Sequence, residues 1–209
     1  MNRTAFALLP AILMACSGAF ALPLNTDPAA ISGTTGLSHY SATVGSKAFS
    51  CEVVYAAYET ANYSGYDPSW GHDKYLYAYQ IFNSGNSNVF INTFMVNMLA
   101  ATQPHLIAFD GAAGVPYGLS SSSQEFMFHN DNKNAVWRFG NQPVVGPARH
   151  SVVLVFTSDN APSMSTAKVS AGDFAGVLNV VAPHVPEPTT AALLCGGAYA
   201  LLRRRFAKN

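Results

Sequence analysis

Charge is what this chain most lacks. Only 11% of its 209 residues are Asp, Glu, Lys or Arg, against roughly 25% in an ordinary globular protein. Its surface polarity must come from Ser, Thr, Asn, Gln and Tyr, a composition that suits a wall or matrix protein better than a cytosolic enzyme. The formal net charge of zero conceals an uneven distribution: between Leu22 and Pro183 ten acidic side chains face six basic ones, about −4 in all. A mildly acidic body offers no basic patch to a phosphate backbone, which excludes nucleic acid as a partner.

Cysteine is nearly as scarce. Of the three, Cys16 and Cys195 lie in apolar terminal stretches and only Cys51 belongs to the body. One thiol cannot cross-link its own domain, so stability must come from a hydrophobic core. A body of about 160 residues can bury enough apolar surface for that. Catalytic signatures are missing too. No Gly-x-Ser-x-Gly elbow occurs, Ser120 to Ser123 is a low-complexity polar loop, and the few carboxylates form no pair suited to glycoside cleavage. Glu52 and Glu125 fall inside strand-like runs, where an outward-facing charge is the ordinary explanation. The six histidines show neither His-x-x-x-His spacing nor company from paired cysteines. His72-Asp73 and His129-Asn130-Asp131 read as solvated turn residues, and Asp67 with Asp73 lacks the Asp-x-Asp-x-Asp run of a calcium loop. No metal, cofactor or catalytic residue is assigned, and the body is expected not to be an enzyme.

What is present begins with a secretory pattern. Arg3 precedes an uncharged apolar run, Ala5 to Ala15, and Ala19-Phe20-Ala21 places small residues at the two positions a signal peptidase reads. The run is too short for a durable membrane span. Cleavage after Ala21 is expected, making residues 1–21 a signal peptide and signal peptidase a partner. A rival reading takes Leu13-Met14-Ala15-Cys16 as a lipobox with Cys16 lipidated, but Met14 fits that box poorly.

Residues 22–48, rich in Pro, Gly, Ser and Thr, read as a loose lead-in with at most a short strand. Eight runs of β-branched and aromatic residues follow, at Phe49–Glu59, Lys74–Asn83, Val89–Met98, Leu106–Phe109, Gln124–His129, Ala135–Phe139, Ser151–Ser158 and Phe174–Val181. Ser84 to Asn88 is a strong turn signal, predicting a hairpin between the second and third runs. In the second run Tyr75, Tyr77, Tyr79 and Ile81 share one face, opposite Leu76, Ala78, Gln80 and Phe82. In the third, Phe90, Phe94 and Val96 oppose Val89, Ile91 and Met95. Both faces are apolar enough for a sheet packed on one side and covered by Tyr rings on the other. No stretch of the body carries a long capped helical period. The prediction is an all-β protein, an antiparallel β-sandwich over 49–183.

Aromatic residues are the best lead to a ligand. Tyr63, Tyr66 and Trp70 fall in the turn-rich segment between the first two runs and are candidates for stacking on sugar rings, with Asn and Asp taking the hydroxyls. The competing explanation is that such rings simply fill the core, since aromatics favour strands in any case.

The C-terminal end is the most specific part of the chain. Val185-Pro186-Glu187-Pro188 leads into an apolar stretch, Thr189 to Leu202, and then Arg203-Arg204-Arg205. Order and spacing resemble the PEP-CTERM sorting domain: a Pro-Glu-Pro motif, a short transmembrane helix and a terminal basic cluster. The resemblance covers residues 184–209, with the motif at 185–188, the span at 189–202 and the basic end at 203–209. Phrases of the body such as Tyr77 to Asn83 and Val153 to Ser158 are loosely similar to bodies of other PEP-CTERM proteins. The resemblance implies that an exosortase recognises the tail, with Glu187 as a recognition residue, and cuts near the motif after a transient stay in the inner membrane. It further implies release to the cell surface or extracellular matrix of a Gram-negative, exopolysaccharide-making bacterium. Physical chemistry agrees with that order. The prolines hold the approach extended, and the arginines stay cytoplasmic, leaving the body outside. The 14-residue span would reach about 21 Å as a helix against a ~30 Å hydrocarbon core. The expected function is a non-catalytic structural or adhesive role in the exopolysaccharide layer, a biofilm matrix, with exopolysaccharide as a candidate partner. Alternatives are a carbohydrate-binding module and a secreted hydrolase.

Overall fold

Extended backbone dominates because the chain alternates β-branched and aromatic side chains with small polar ones, a pattern that buries well on a pleated surface. The computed structural model describes residues 23–68, 72–98, 107–110, 124–129, 133–139 and 145–184. Within them lie eleven strands: β1 (Gly36–Val44), β2 (Lys47–Glu59), β3 (Tyr75–Asn83), β4 (Thr93–Asn97), β5 (Ile107–Asp110), β6 (Gln124–His129), β7 (Asn134–Phe139), β8 (Arg149–His150), β9 (Val153–Ser158), β10 (Pro162–Ala171) and β11 (Phe174–Pro183). Two single turns of 3-10 helix, Leu24–Thr26 and Thr60–Asn62, complete the regular structure. The strands form two sheets, ordered β1-β2-β3-β9-β5 with β8 also on β3, and β11-β10-β4-β7-β6. Every pairing is antiparallel. The fold class is thus all-β, in a β-sandwich-like stack of antiparallel sheets.

Alternation decides which side chains fill the space between the sheets. From β2 come Phe49, Cys51, Val53, Tyr55 and Ala57, and from β3 Tyr77, Tyr79 and Ile81. The second sheet answers with Phe94, Trp137, Val169 and Leu178. At the centre Tyr77 stacks on Phe156 at 5.0 Å and Phe94 on Trp137 at 5.8 Å. Each such ring removed from water is worth about 1.5–3 kcal/mol. The tyrosines of β3 therefore point inward rather than covering the outer side. Their hydroxyls can be buried because carbonyls await them: Tyr79 Oη donates to Val181 O at 2.5 Å and Tyr77 Oη to Asn160 O at 2.6 Å.

The outer side of the first sheet is covered by something else. Val54, Ala56 and Tyr58 of β2, Leu76 and Ala78 of β3 and Val153 and Val155 of β9 form a second apolar cluster with Leu24 and Tyr63, and Ala30 and Tyr66 pack against it. The segment read as a loose lead-in thus does two structural jobs. Its first part lies over this cluster, with Ile31 N donating to Ala57 O at 2.8 Å, and its second part is β1. Strand β1 escaped the hydrophobic pattern because only alternate residues in it touch the core. One of those, Tyr40, lies on β11 where a Cβ at Gly176 would come within 2.6 Å of its ring.

Ser84–Asn88 turns the chain, yet no hairpin results. Ser87 N donates to Ser84 O at 3.0 Å, but β3 and β4 belong to different sheets. The segment runs beside the start of β2, where Ser87 Oγ donates to Ser50 O at 2.8 Å and Asn88 N to Ala48 O at 3.0 Å. The chain then crosses to the second sheet. That crossing also splits the third run: Phe94 and Val96 are buried in β4, whereas Phe90, expected on their face, is 52% exposed. Actual two-residue hairpin turns occur at Gly45-Ser46 and Gly172-Asp173, whose glycines have φ of +61° and +58°. A positive φ at the first turn position suits glycine and matches the twist of the flanking strands. Lys47 and Asp173 tie the two turns together in an exposed ion pair at 2.5 Å.

Candidate functional site

Among the described residues two concavities lie on the first sheet, one at its end and one on its outer face. The end cavity, about 380 Å³, is lined by Glu59, Thr60 and Ala61 after β2, by His72, Asp73 and Lys74 before β3, and by Tyr66. Its floor is held by backbone links, with Thr60 N donating to Lys74 O at 3.0 Å and Lys74 N to Asp159 Oδ1 at 3.0 Å. Asp73 is buried and accepts a hydrogen bond from Thr157 Oγ1 at 2.6 Å, while the neighbouring His72 is exposed. The two adjacent side chains are thus in different environments. Among the described residues no three His, Cys, Asp or Glu side chains come together as a metal site.

This is the neighbourhood of the aromatic candidates, and the structure separates them. Tyr63 is 4% exposed, packed edge-on against Tyr58 at 4.9 Å between ring centroids. It is core material and has no open face for a sugar. Tyr58 in turn donates to Asp27 Oδ2 at 3.0 Å, and burial, followed by the Asp27 charge, pushes its phenol up. Tyr66 is half-buried and keeps an edge on the cavity. Trp70 lies outside the described residues, as do the signal-cleavage residues Ala19 and Ala21, the motif Val185, Pro186, Glu187 and Pro188, and Arg203, Arg204 and Arg205. The described body stops at His184, whose N donates to Ala161 O at 3.0 Å, one residue before that motif.

The face cleft, about 330 Å³, is lined by His39, Ser50, Glu52, Phe82, Ser84 and Asn86. Register builds it. His39 of β1 pairs with Glu52 of β2, Glu52 with Phe82 of β3, and Phe82 with His150 of β8, so four side chains form one row across four strands. His39 Nε2 lies 3.1 Å from Ser50 Oγ, and the Phe82 and His150 rings are 5.3 Å apart. Behind them the buried Gln80 Nε2 donates to Ser151 O at 3.0 Å, with His150 Nδ1 at 3.2 Å.

No family model, curated protein or solved structure matches the chain. What can be said of its chemistry therefore rests on these two concavities. In the face cleft Ser50 Oγ lies against His39 Nε2 with Glu52 beside it in the register, and among the described residues no hydrogen bond links Glu52 to His39. Both concavities mix a carboxylate, hydroxyl and imidazole groups and an aromatic edge. Sequence reading passed over the face cleft because its residues come from three separate strands and the turn after β3. Glu52, read there as an ordinary outward charge, is exposed in β2 and gains meaning only from the register that sets it between His39 and Phe82.

Proposed function

We propose that this chain is an exported, non-catalytic surface or extracellular-matrix protein with a structural or adhesive role in an exopolysaccharide layer. The observation that carries the proposal is the order of parts along the chain: a secretory-type leader ending at Ala21, an all-β body, and a Pro186-Glu187-Pro188 tail that begins directly after the last described strand. Support comes from the body itself. Its core is built from aromatic and β-branched residues without a disulfide, and the one cysteine within it, Cys51, is buried. In this reading signal peptidase removes residues 1–21, the span at 189–202 holds the body outside the inner membrane, and an exosortase releases it.

Fractionation of cells carrying the wild-type chain and Glu187→Ala tests this. Wild-type protein should collect in the outer layer or medium, and the variant should remain in the inner membrane. Cytosolic accumulation of the wild type would overturn export, and identical distribution of the two would overturn sorting through the motif.

A further inference from the structure

The outer face of the first sheet changes chemistry halfway along its strands. On β2 the outward residues run Ser50, Glu52, Val54, Ala56, Tyr58, and on β3 they run Phe82, Gln80, Ala78, Leu76. The apolar half lies under Leu24, Ala30, Tyr63 and Tyr66. Among the described residues the other half carries no such cover: His39 and Glu52 are exposed, and Phe82 and His150 are half-exposed. It ends in a concavity with a phenyl ring on its floor.

The lining selects among ligands. Phe82 offers an apolar ring face whose tilt is fixed by His150 on one side and by its strand pairing on the other. Glu52 is an acceptor, and among the described residues its carboxylate has no ion pair and no hydrogen bond. His39 with Ser50, and Ser84 with Asn86, supply donors and acceptors at the rim. Among the described residues no Lys or Arg lines the cleft, so phosphate or uronate groups would meet a lone carboxylate and nothing to neutralise them. A lipid chain would meet hydroxyls. A pyranose ring satisfies every part, with its C–H face on Phe82 and its hydroxyls or an amine toward Glu52, Ser84 and Asn86. At about 330 Å³ the cleft lies at the small end of ligand pockets, roughly 300–1,000 Å³.

We propose that this cleft is a saccharide-binding site for a neutral or amino-sugar glycan, with Phe82 as the stacking platform and Glu52 as the residue that prefers the amine. The idea deepens the adhesive reading above and rests on it for the place where glycan is met, but its test does not depend on sorting. Full-length chain, purified in a detergent without a sugar headgroup, is titrated with chitosan hexamer, cellohexaose and an alginate oligomer by calorimetry. Chitosan hexamer should bind most tightly, cellohexaose more weakly, and alginate not at all. Phe82→Ala should weaken both binders at least tenfold. Glu52→Gln, a surface change, should weaken chitosan hexamer more than cellohexaose and so erase the preference between them. Urea midpoints show that each variant is folded, and Phe82→Leu, which keeps the apolar bulk but not the ring, should lose binding as Phe82→Ala does. No binding of chitosan hexamer or cellohexaose by folded wild-type protein overturns the proposal while leaving export untouched. Binding that survives both Phe82→Ala and Glu52→Gln overturns it as well and moves the site to the end cavity beside Tyr66.

Discussion

Tyr79→Phe deletes one oxygen at the centre of the molecule. Tyr79 is fully buried, its ring 5.6 Å from Phe94 and 6.0 Å from Phe156, and its hydroxyl donates to Val181 O at 2.5 Å. Phenylalanine keeps every ring contact, so the change isolates the hydrogen bond. A net bond is worth about 0.5–1.5 kcal/mol, and a buried acceptor left without its donor costs about 1–3 kcal/mol. The expected loss is about 2 kcal/mol, which for a body of this size lowers Tm by roughly 4–8 °C. Tyr77→Phe is the internal comparison. Its hydroxyl also donates to a carbonyl, Asn160 O at 2.6 Å, but that end of the bond is only partly buried. Water can replace the lost hydroxyl there, and the loss should stay below about 1 kcal/mol. Urea unfolding of the two variants, with slopes matching wild type, measures both. A Tyr79→Phe loss under about 0.5 kcal/mol would show that the ring is held by area alone, and equal losses would show that burial of the bond does not set its worth; either refutes the reasoning.

Alkaline pH should act on the same core. Burial raises the phenols of Tyr58, Tyr77 and Tyr79 above their ordinary value of 10.0 and pushes the Cys51 thiol from 9.0 up to about 12. Groups held protonated in the fold bind protons less tightly when unfolded, so their contribution is complete below pH 9 and is lost as pH rises. The urea midpoint should hold from pH 7 to about 9, begin to fall above that as Cys51 is drawn on, and fall more steeply above about 10, where a flat profile to pH 11 would be contrary. Cys51 also bears on assembly: at 0% exposure in the inter-sheet core it cannot reach another chain. With Cys16 and Cys195 changed to Ser, the native protein should resist a thiol-colour reagent until urea is added, and prompt stoichiometric labelling would contradict the placement.

All eight apolar runs became strands, because side chains that bury on a sheet announce themselves by branching and aromaticity. The strands that went unseen are those whose burial is one-sided or brief. β10 reads Pro162-Ser-Met-Ser-Thr-Ala-Lys-Val-Ser-Ala171, with Ala167, Val169 and Ala171 its only core residues of apolar type. Its hairpin with β11 was nonetheless written at Gly172-Asp173, as that of β1 with β2 was at Gly45-Ser46, in the Gly-first form that such turns favour. Ser84–Asn88 had equally good turn chemistry. What it lacked was any local sign of destination, since pairing with β2 is decided by Ser50 and Ala48, more than thirty residues earlier. The site was less legible for the same reason. Tyr63 and Tyr66 stand close in sequence but differ in exposure, and the packing of Tyr63 against Tyr58 is not written locally. The row from His39 to His150 exists only through strand register.

The account turns on whether the tail is a processing signal or an anchor. In the proposed function residues 189–202 would span as a helix about 9 Å short of the hydrocarbon core, a stretch able to reside in a membrane without being matched to one. Intact-mass analysis of wild-type protein recovered from the cell surface or medium decides between the two. Sorting predicts a chain that begins at Leu22 and has lost Arg203, Arg204 and Arg205, its end lying near Pro186-Glu187-Pro188. A surface-recovered chain that still carries all three arginines would contradict it.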